Sequence, residues 1–195
     1  MSREREFDPE EALEKAMQLF WRKGYVDTSM DDIVGATGVS RYGLYSIFGS
    51  KRELFLAAMD HYQEHVAESS FGCVEAADAS IGEIESYFEN LAKGSREKLG
   101  CLMCNAATEV APKDEEVKRK VELAMSRIAS GFYKALCNAG EKREIDPDLD
   151  MEKACDFLTC TVLGVSVMAR SGAARSMIEN AIAMALDSIV QKQST

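Results

Sequence analysis

Three groups of side chains in this chain have the types and spacing that chemistry uses. The first follows the turn Gly38-Val39-Ser40: Arg41, Tyr42, Tyr45 and Ser46 fall on one side of a short helical repeat, with Leu44, Ile47 and Phe48 on the side expected to be buried. A guanidinium fork, two phenols and a hydroxyl displayed on a short helix suit insertion into a DNA major groove. Arg41 is the candidate for a guanine edge and Tyr42 for bases or thymine methyls, while Tyr45 and Ser46 would reach phosphates. Lys51 opens the next helix, where its charge adds to free backbone N–H groups to hold a phosphate. Thr28 and Ser29 would do the same at the start of the preceding helix, and Ser40, which caps the display helix, completes the set. Plainer uses compete, namely packing for Tyr45 and simple solvation for Arg41.

The second group is Cys101 and Cys104, a C-x-x-C pair that invites a redox or metal reading. No βαβ pattern surrounds it, and no second C-x-x-C completes a zinc tetrad. On a helix both thiols share one face, so they either line a pocket or pack in a core. The third group, His61 and His65, stands one helical turn apart with Glu64 and Glu68 nearby. That spacing could hold zinc or a related metal, and it equally describes a solvated helix face. The H-E-x-x-H order is absent, because Glu64 stands beside the second histidine. No metal and no cofactor are expected. With no nucleophile–base constellation and no Gly-rich phosphate loop, the chain does not read as an enzyme.

The elements that must position these groups are all helical. Asp8-Pro9-Glu10-Glu11 starts the first helix as N-cap, proline and first-turn acids, and Gly24 ends it. Ser29 caps the second helix and Gly38 ends it with a left-handed residue. Ser50 to Glu53 caps a long fourth helix reaching about Ser69. Five more follow at about Ile81 to Lys98, Cys101 to Val110, Glu115 to Ala139, Met151 to Arg170 and Ala173 to Gln191. The expectation is an all-α chain of about nine helices, with a helix-turn-helix head in residues 1–52 and a body in 53–195.

Charge divides along the same line. The formal net charge is −10, yet residues 1–52 hold eight basic and nine acidic side chains. A near-neutral head on an acidic body suits docking on DNA by one end and argues against indiscriminate coating of nucleic acid. Six cysteines without a secretory signal suit a reducing compartment and a cytoplasmic location. The apolar run Ala154 to Ala169 contains Asp156 and reads as a buried interface helix, short of a membrane span.

The head resembles the TetR family of transcriptional regulators: Phe20, Gly24 and Tyr25 in FxxxGY, then TSMDDI, then GVSRxxLYxxFGSKxxLF in the same order and spacing. The stretch GCLMCNAATEVAPKDEEV resembles the sixth helix of one branch of that family. The resemblance implies a homodimer through the last two helices, double-stranded palindromic operator DNA as partner, and a small-molecule pocket in the body. Apolar residues on several faces of the eighth helix, with Gly164 and Ser166 allowing close approach, argue for the same dimer. Pocket candidates are Tyr87, Phe88, Cys101, Met103, Cys104, Asn105, Met125, Phe132 and Tyr133, suited to an apolar or aromatic effector. The implied function is a repressor released by its effector. A thiol- or electrophile-sensing regulator using Cys101 and Cys104 is the alternative, and a helical enzyme or carrier with a vestigial head is a third. Gly43 departs from the family pattern, where Ser or Thr is frequent, so one phosphate contact would be missing. Trp21 is expected to pack between head and body. Arg3 and Arg5 could form an arm into the minor groove.

Overall fold

The computed structural model describes residues 7–190; Arg3, Arg5 and Gln191 lie outside them. Nine helices make up the described residues, counting as one a long helix that changes pitch. Helix α1 (Pro9–Lys23) starts where Asp8 accepts from the Glu10 N–H at 2.9 Å and stops at Gly24, whose φ of 90° suits a residue without a Cβ. In α2 (Met30–Thr37) Ser29 and Asp32 form a reciprocal capping box. Helix α3 (Arg41–Phe48) follows the left-handed Gly38 and is capped by Ser40. Helix α4 runs as Lys51–Tyr62, widens into a π turn at Gln63–Ala67, and continues as Glu68–Glu75. It therefore ends later than the sequence pattern indicates. The remaining helices are α5 (Ile81–Gly94), α6 (Leu102–Glu109), α7 (Glu115–Glu141), α8 (Met151–Ser171) and α9 (Arg175–Asp187).

Two apolar cores result. One joins α1, α2, α3 and the first half of α4 to α6 and the start of α7. The other joins the end of α4 to α5, the later part of α7, α8 and α9. The first core crosses Arg52 without a break, because Leu54, Phe55, Ala58 and Met59 face α1 while Leu102, Met103, Val117 and Val121 close it from the body. Burying these side chains contributes about 1.5–3 kcal/mol each, so head and body share their stability. Ile47, expected inside, is exposed; Leu44 alone on α3 is fully buried, since a two-turn helix presents too narrow a stripe to bury its flank. Helix α8 has 21 residues and is, by length and composition, long and apolar enough to cross a membrane, because the helix outruns the apolar run at both ends. Here Leu158, Val162 and Val165 pack into the second core.

Candidate DNA interface and cavity

Helix α3 stands at the surface, fixed by Leu44 below and by caps at both ends. Tyr42 is 84% exposed and Tyr45 also reaches solvent. Arg41 donates to Asp31 at 2.7 Å across the helix-turn-helix, which holds the fork over the exposed side. Ser40 accepts from the Gly43 N–H, and Ser46 donates to the Gly43 carbonyl at 2.9 Å. The reason for Gly43 is steric: a Cβ there would meet Phe7 and Val39 carbons at 3.1 Å.

Lys51 stands in the first turn of α4 with its ammonium 4.3 Å from the Tyr25 ring centre. Burial lowers its pKa, while Glu109, Asp27 and Asp32 act the other way. Ser29 is exposed and engaged with Asp32. Thr28 requires a correction, because its side chain is fully buried and its hydroxyl donates to the Gly24 carbonyl at 2.5 Å. It ties down the α1–α2 turn and offers no hydroxyl outward.

Behind the head lies a cavity of about 280 Å³. Of the pocket candidates, Tyr87, Cys101, Met103, Cys104 and Met125 line it. Four other candidates do not. Phe88 and Phe132 are fully buried and stack on each other at 5.9 Å, filling the core instead. Asn105 donates to the Leu99 carbonyl at 3.2 Å and so braces the loop before α6. Tyr133 is 51% exposed on the outer face of α7. Trp21, Tyr62, Gln63, Val66, Arg127 and Ser166 line the cavity although none of them is among the pocket candidates of the sequence. Trp21 and Tyr62 meet edge to face at 5.0 Å, which brings α1 and α4 of the head into the cavity wall.

The two cysteines occupy one corner. Cys101 is the N-cap residue of α6 and Cys104 is buried one turn on. A hydrogen bond from the Cys104 thiol, with help from the backbone N–H groups of Cys104 and Met103 and from the Tyr62 hydroxyl, lowers the Cys101 pKa despite burial. The same contact with Cys101, together with burial, pushes the Cys104 thiol up. His61 is buried with Nε2 2.7 Å from Glu14, and His65 Nε2 is 4.0 Å from Glu10. Among the described residues no group of three or more His, Cys, Asp or Glu is placed to hold a metal ion.

Helix α6 fastens the head at both ends. At its start Trp21 donates to the Gly100 carbonyl at 3.1 Å, and Arg170 of α8 donates to the Trp21 carbonyl at 2.8 Å. At its end Glu109 accepts from the N–H groups of Tyr25 and Val26 at 3.1 and 2.7 Å. Arg52 of α4 forms a two-pronged pair with Asp114, the cap of α7, at 2.6 and 2.8 Å.

A capped helix-turn-helix braced against an all-helical body with an internal cavity is the architecture of a DNA-binding regulator. Residues 12–58 match the family model described as bacterial regulatory proteins, tetR family, and residues 81–185 match the model of the tetracyclin repressor-like C-terminal domain. The chain belongs to the TetR family of transcriptional regulators. It is 32% identical over 171 residues to the HTH-type transcriptional repressor ComR of Escherichia coli (strain K12), covering 86% of this chain and 81% of that protein. It is 27% identical over 190 residues to the regulator YezE of Bacillus subtilis (strain 168), covering 95% and 98% respectively. Among solved structures, a cysteine mutant of the TetR family regulator CifR complexed with a 26-bp operator duplex superposes with a TM-score of 0.83 at 25% identity, covering 95% of this chain and 98% of that one.

Proposed function

We propose that this protein is a homodimeric repressor that grips a palindromic operator through two α3 helices and releases it when a small molecule fills the cavity. The carrying observation is that one helix serves both places: α4 begins at Lys51 beside α3, and its wide turn lines the cavity through Gln63, Val66 and Ala67. Arg41 exchanges Asp31 for a guanine edge, Tyr42 touches bases, and Ser29, Ser40, Tyr45, Ser46 and Lys51 meet phosphates. Residues 1–52 read DNA while 53–195 bind effector and dimerise, a division of labour laid over a continuous core. The naming of the relative ComR as a repressor, and the operator DNA in the CifR complex, support this reading. Such a protein works in the cytoplasm, where its DNA is, and needs no catalysis.

The dimer face is the outer side of α8 and α9. Phe157, Val167, Met177 and Met184 are exposed there, and a Cβ on Gly164 would meet nothing within 4 Å. Two-fold pairing of these helices covers the apolar patch and spaces the α3 helices for one operator. The cavity rings favour an apolar or aromatic effector. An effector that prefers the splayed dimer by about 1–3 kcal/mol changes occupancy about 5- to 150-fold.

Selection of duplexes from a random pool at physiological salt tests the reading. Enrichment of a palindrome that Arg41→Ala no longer selects is the expected result. A folded dimer that enriches no sequence would overturn it.

A further inference from the structure

We propose that the effector this cavity receives is an aromatic acid in its ionised form, its carboxylate held by Arg127 and Tyr87. The proposal rests on the reading of the cavity as the effector site and names the chemistry that site takes. Among the described residues the wall carries two charged side chains, Arg127 of α7 and Glu97, and Glu97 is exposed. Arg127 is placed by the close approach of α4 and α7. A Cβ on Gly131 would lie 2.6 Å from the Phe71 ring, so a glycine there lets the two helices meet. One turn away on each helix, Glu75 of α4 accepts from Nε and Nη2 of Arg127. Among the described residues the other amino group, Nη1, has no protein acceptor. A guanidinium has five N–H donors, so it can hold a second carboxylate while it keeps the first.

The second donor is Tyr87 of α5. It is 7% exposed, and its ring packs edge to face on Phe71 at 5.0 Å, beside the α4–α7 contact. Its hydroxyl makes no hydrogen bond to the described residues, among which no enclosed polar side-chain atom is left unpaired; the hydroxyl therefore opens on the cavity that Tyr87 lines. A buried polar group of this kind calls for a partner. Burial pushes the phenol up, so it keeps its proton and donates. The hydroxyls of Ser70, Ser95 and Ser166, by contrast, turn back on carbonyls one helical turn behind them. An interior cation and a free O–H donor among Trp21, Phe71, Leu91 and Ile128 suit a flat apolar body with one anionic end.

The approach carries the same sign. A recess of about 370 Å³ adjoins the cavity and shares Gln63, Met103, Ala124 and Arg127 with it. Arg119, Lys120 and Arg127 line that recess against Asp60, in a chain whose formal net charge is −10. Glu116, Asp60 and Glu75 pair with these cations in turn, and of the three only Asp60 lines the recess. A carboxylate at Arg127 also draws on the fork that ties α7 to the far end of α4, the helix that begins at Lys51 beside α3.

The test titrates the purified protein with β-naphthoate and with its neutral counterpart β-naphthamide by calorimetry. The acid is expected to bind about ten- to a hundredfold more tightly than the amide. Glu75→Gln frees the fork and should strengthen naphthoate while leaving naphthamide unchanged. Glu75→Gln combined with Arg127→Gln removes both charges, leaves no buried ion unpaired and should abolish the preference. Tyr87→Phe should weaken naphthoate about two- to tenfold. Naphthoate should release the selected duplex at concentrations where naphthamide does not. Equal binding of acid and amide would overturn the proposal, as would no binding of the acid at millimolar concentration or a preference that survives in the double variant. Arg127-dependent binding without release would refute the effector reading on which the proposal rests, while release by acid and amide alike would keep that reading and refute the acid. If the untreated protein selects no duplex, the regulator reading fails, and the calorimetry still decides what the cavity binds.

Discussion

Replacing Glu109 by alanine tests whether α6 holds the head in place. Its carboxylate accepts from the Tyr25 and Val26 N–H groups at 3.1 and 2.7 Å, while a Cβ at Gly24 would lie 3.0 Å from the same oxygens. The turn between α1 and α2 is therefore wrapped around one side chain from the body. Val26 is exposed, so water replaces that acceptor at little cost, whereas the Tyr25 N–H lies in a half-buried position. Losing one charge-assisted bond and part of a second costs about 2 kcal/mol. For a chain of this size that lowers Tm by about 4–8 °C. Differential scanning fluorimetry reads the shift, and anisotropy on the selected duplex reads the weakened grip of a loosened head. Glu109→Gln keeps a neutral acceptor and should lose about half as much. Glu115→Ala, which removes a carboxylate with a side chain 91% exposed, should change neither measurement. If Glu109→Ala melts with the parent and binds DNA equally well, the carboxylate does not hold the turn and the argument fails.

Three further outcomes follow from the same geometry. Arg41→Ala should weaken the selected duplex by about 1–3 kcal/mol, with the loss concentrated at one base pair per half-site; a uniform loss across sequences would make Arg41 a phosphate contact. Met184→Asp places a charge on a side chain 69% exposed in the protomer and should yield a folded monomer in sedimentation, with DNA affinity falling more than about tenfold; an intact dimer would remove α9 from the interface. Arg52 holds the Asp114 carboxyl at about 2, down from 3.8. Because the folded state binds that proton less tightly, the pair's contribution is present above about pH 4 and is lost as pH falls towards 2. Melting curves of the parent should drop more steeply across that window than those of Asp114→Asn, and parallel curves would refute the assignment.

The head was legible because its signals are local. Caps at Ser29, Ser40 and Ser50 and stops at Gly24 and Gly38 act within four residues, so sequence spacing carries them directly. Thr28 was misjudged because a β-branched hydroxyl at a turn can rotate inward, and only the Gly24 carbonyl decides that it does. The cavity was half legible. Periodicity tells which face of a helix turns inward, yet not whether that inside is filled: Phe88 and Phe132 fill their own space, while Tyr87, one residue away, borders empty space. Trp21 and Tyr62 come to the cavity from head helices far along the chain, and no local pattern announces such a meeting. Cys101 and Cys104 were visible as a C-x-x-C spacing, but their place in the cavity wall depends on where α6 starts and on what packs against it.

The wide turn at Gln63–Ala67 gives α4 a screw dislocation. Ahead of it, Leu54, Phe55, Ala58, Met59 and Tyr62 share a stripe pressed on the first core; beyond it, Phe71 and Val74 enter the second core on a stripe one residue out of phase. An unbroken spiral would carry the first stripe past the second core and leave one of the two unmatched. The extra residue works like a keyed coupling between two shafts: each half keeps its own bearing surface while torque still crosses the joint. Substitutions that reshape one bearing need not be answered in the other, so the sensing half of such a rod is free to diverge while the half that meets DNA stays in register.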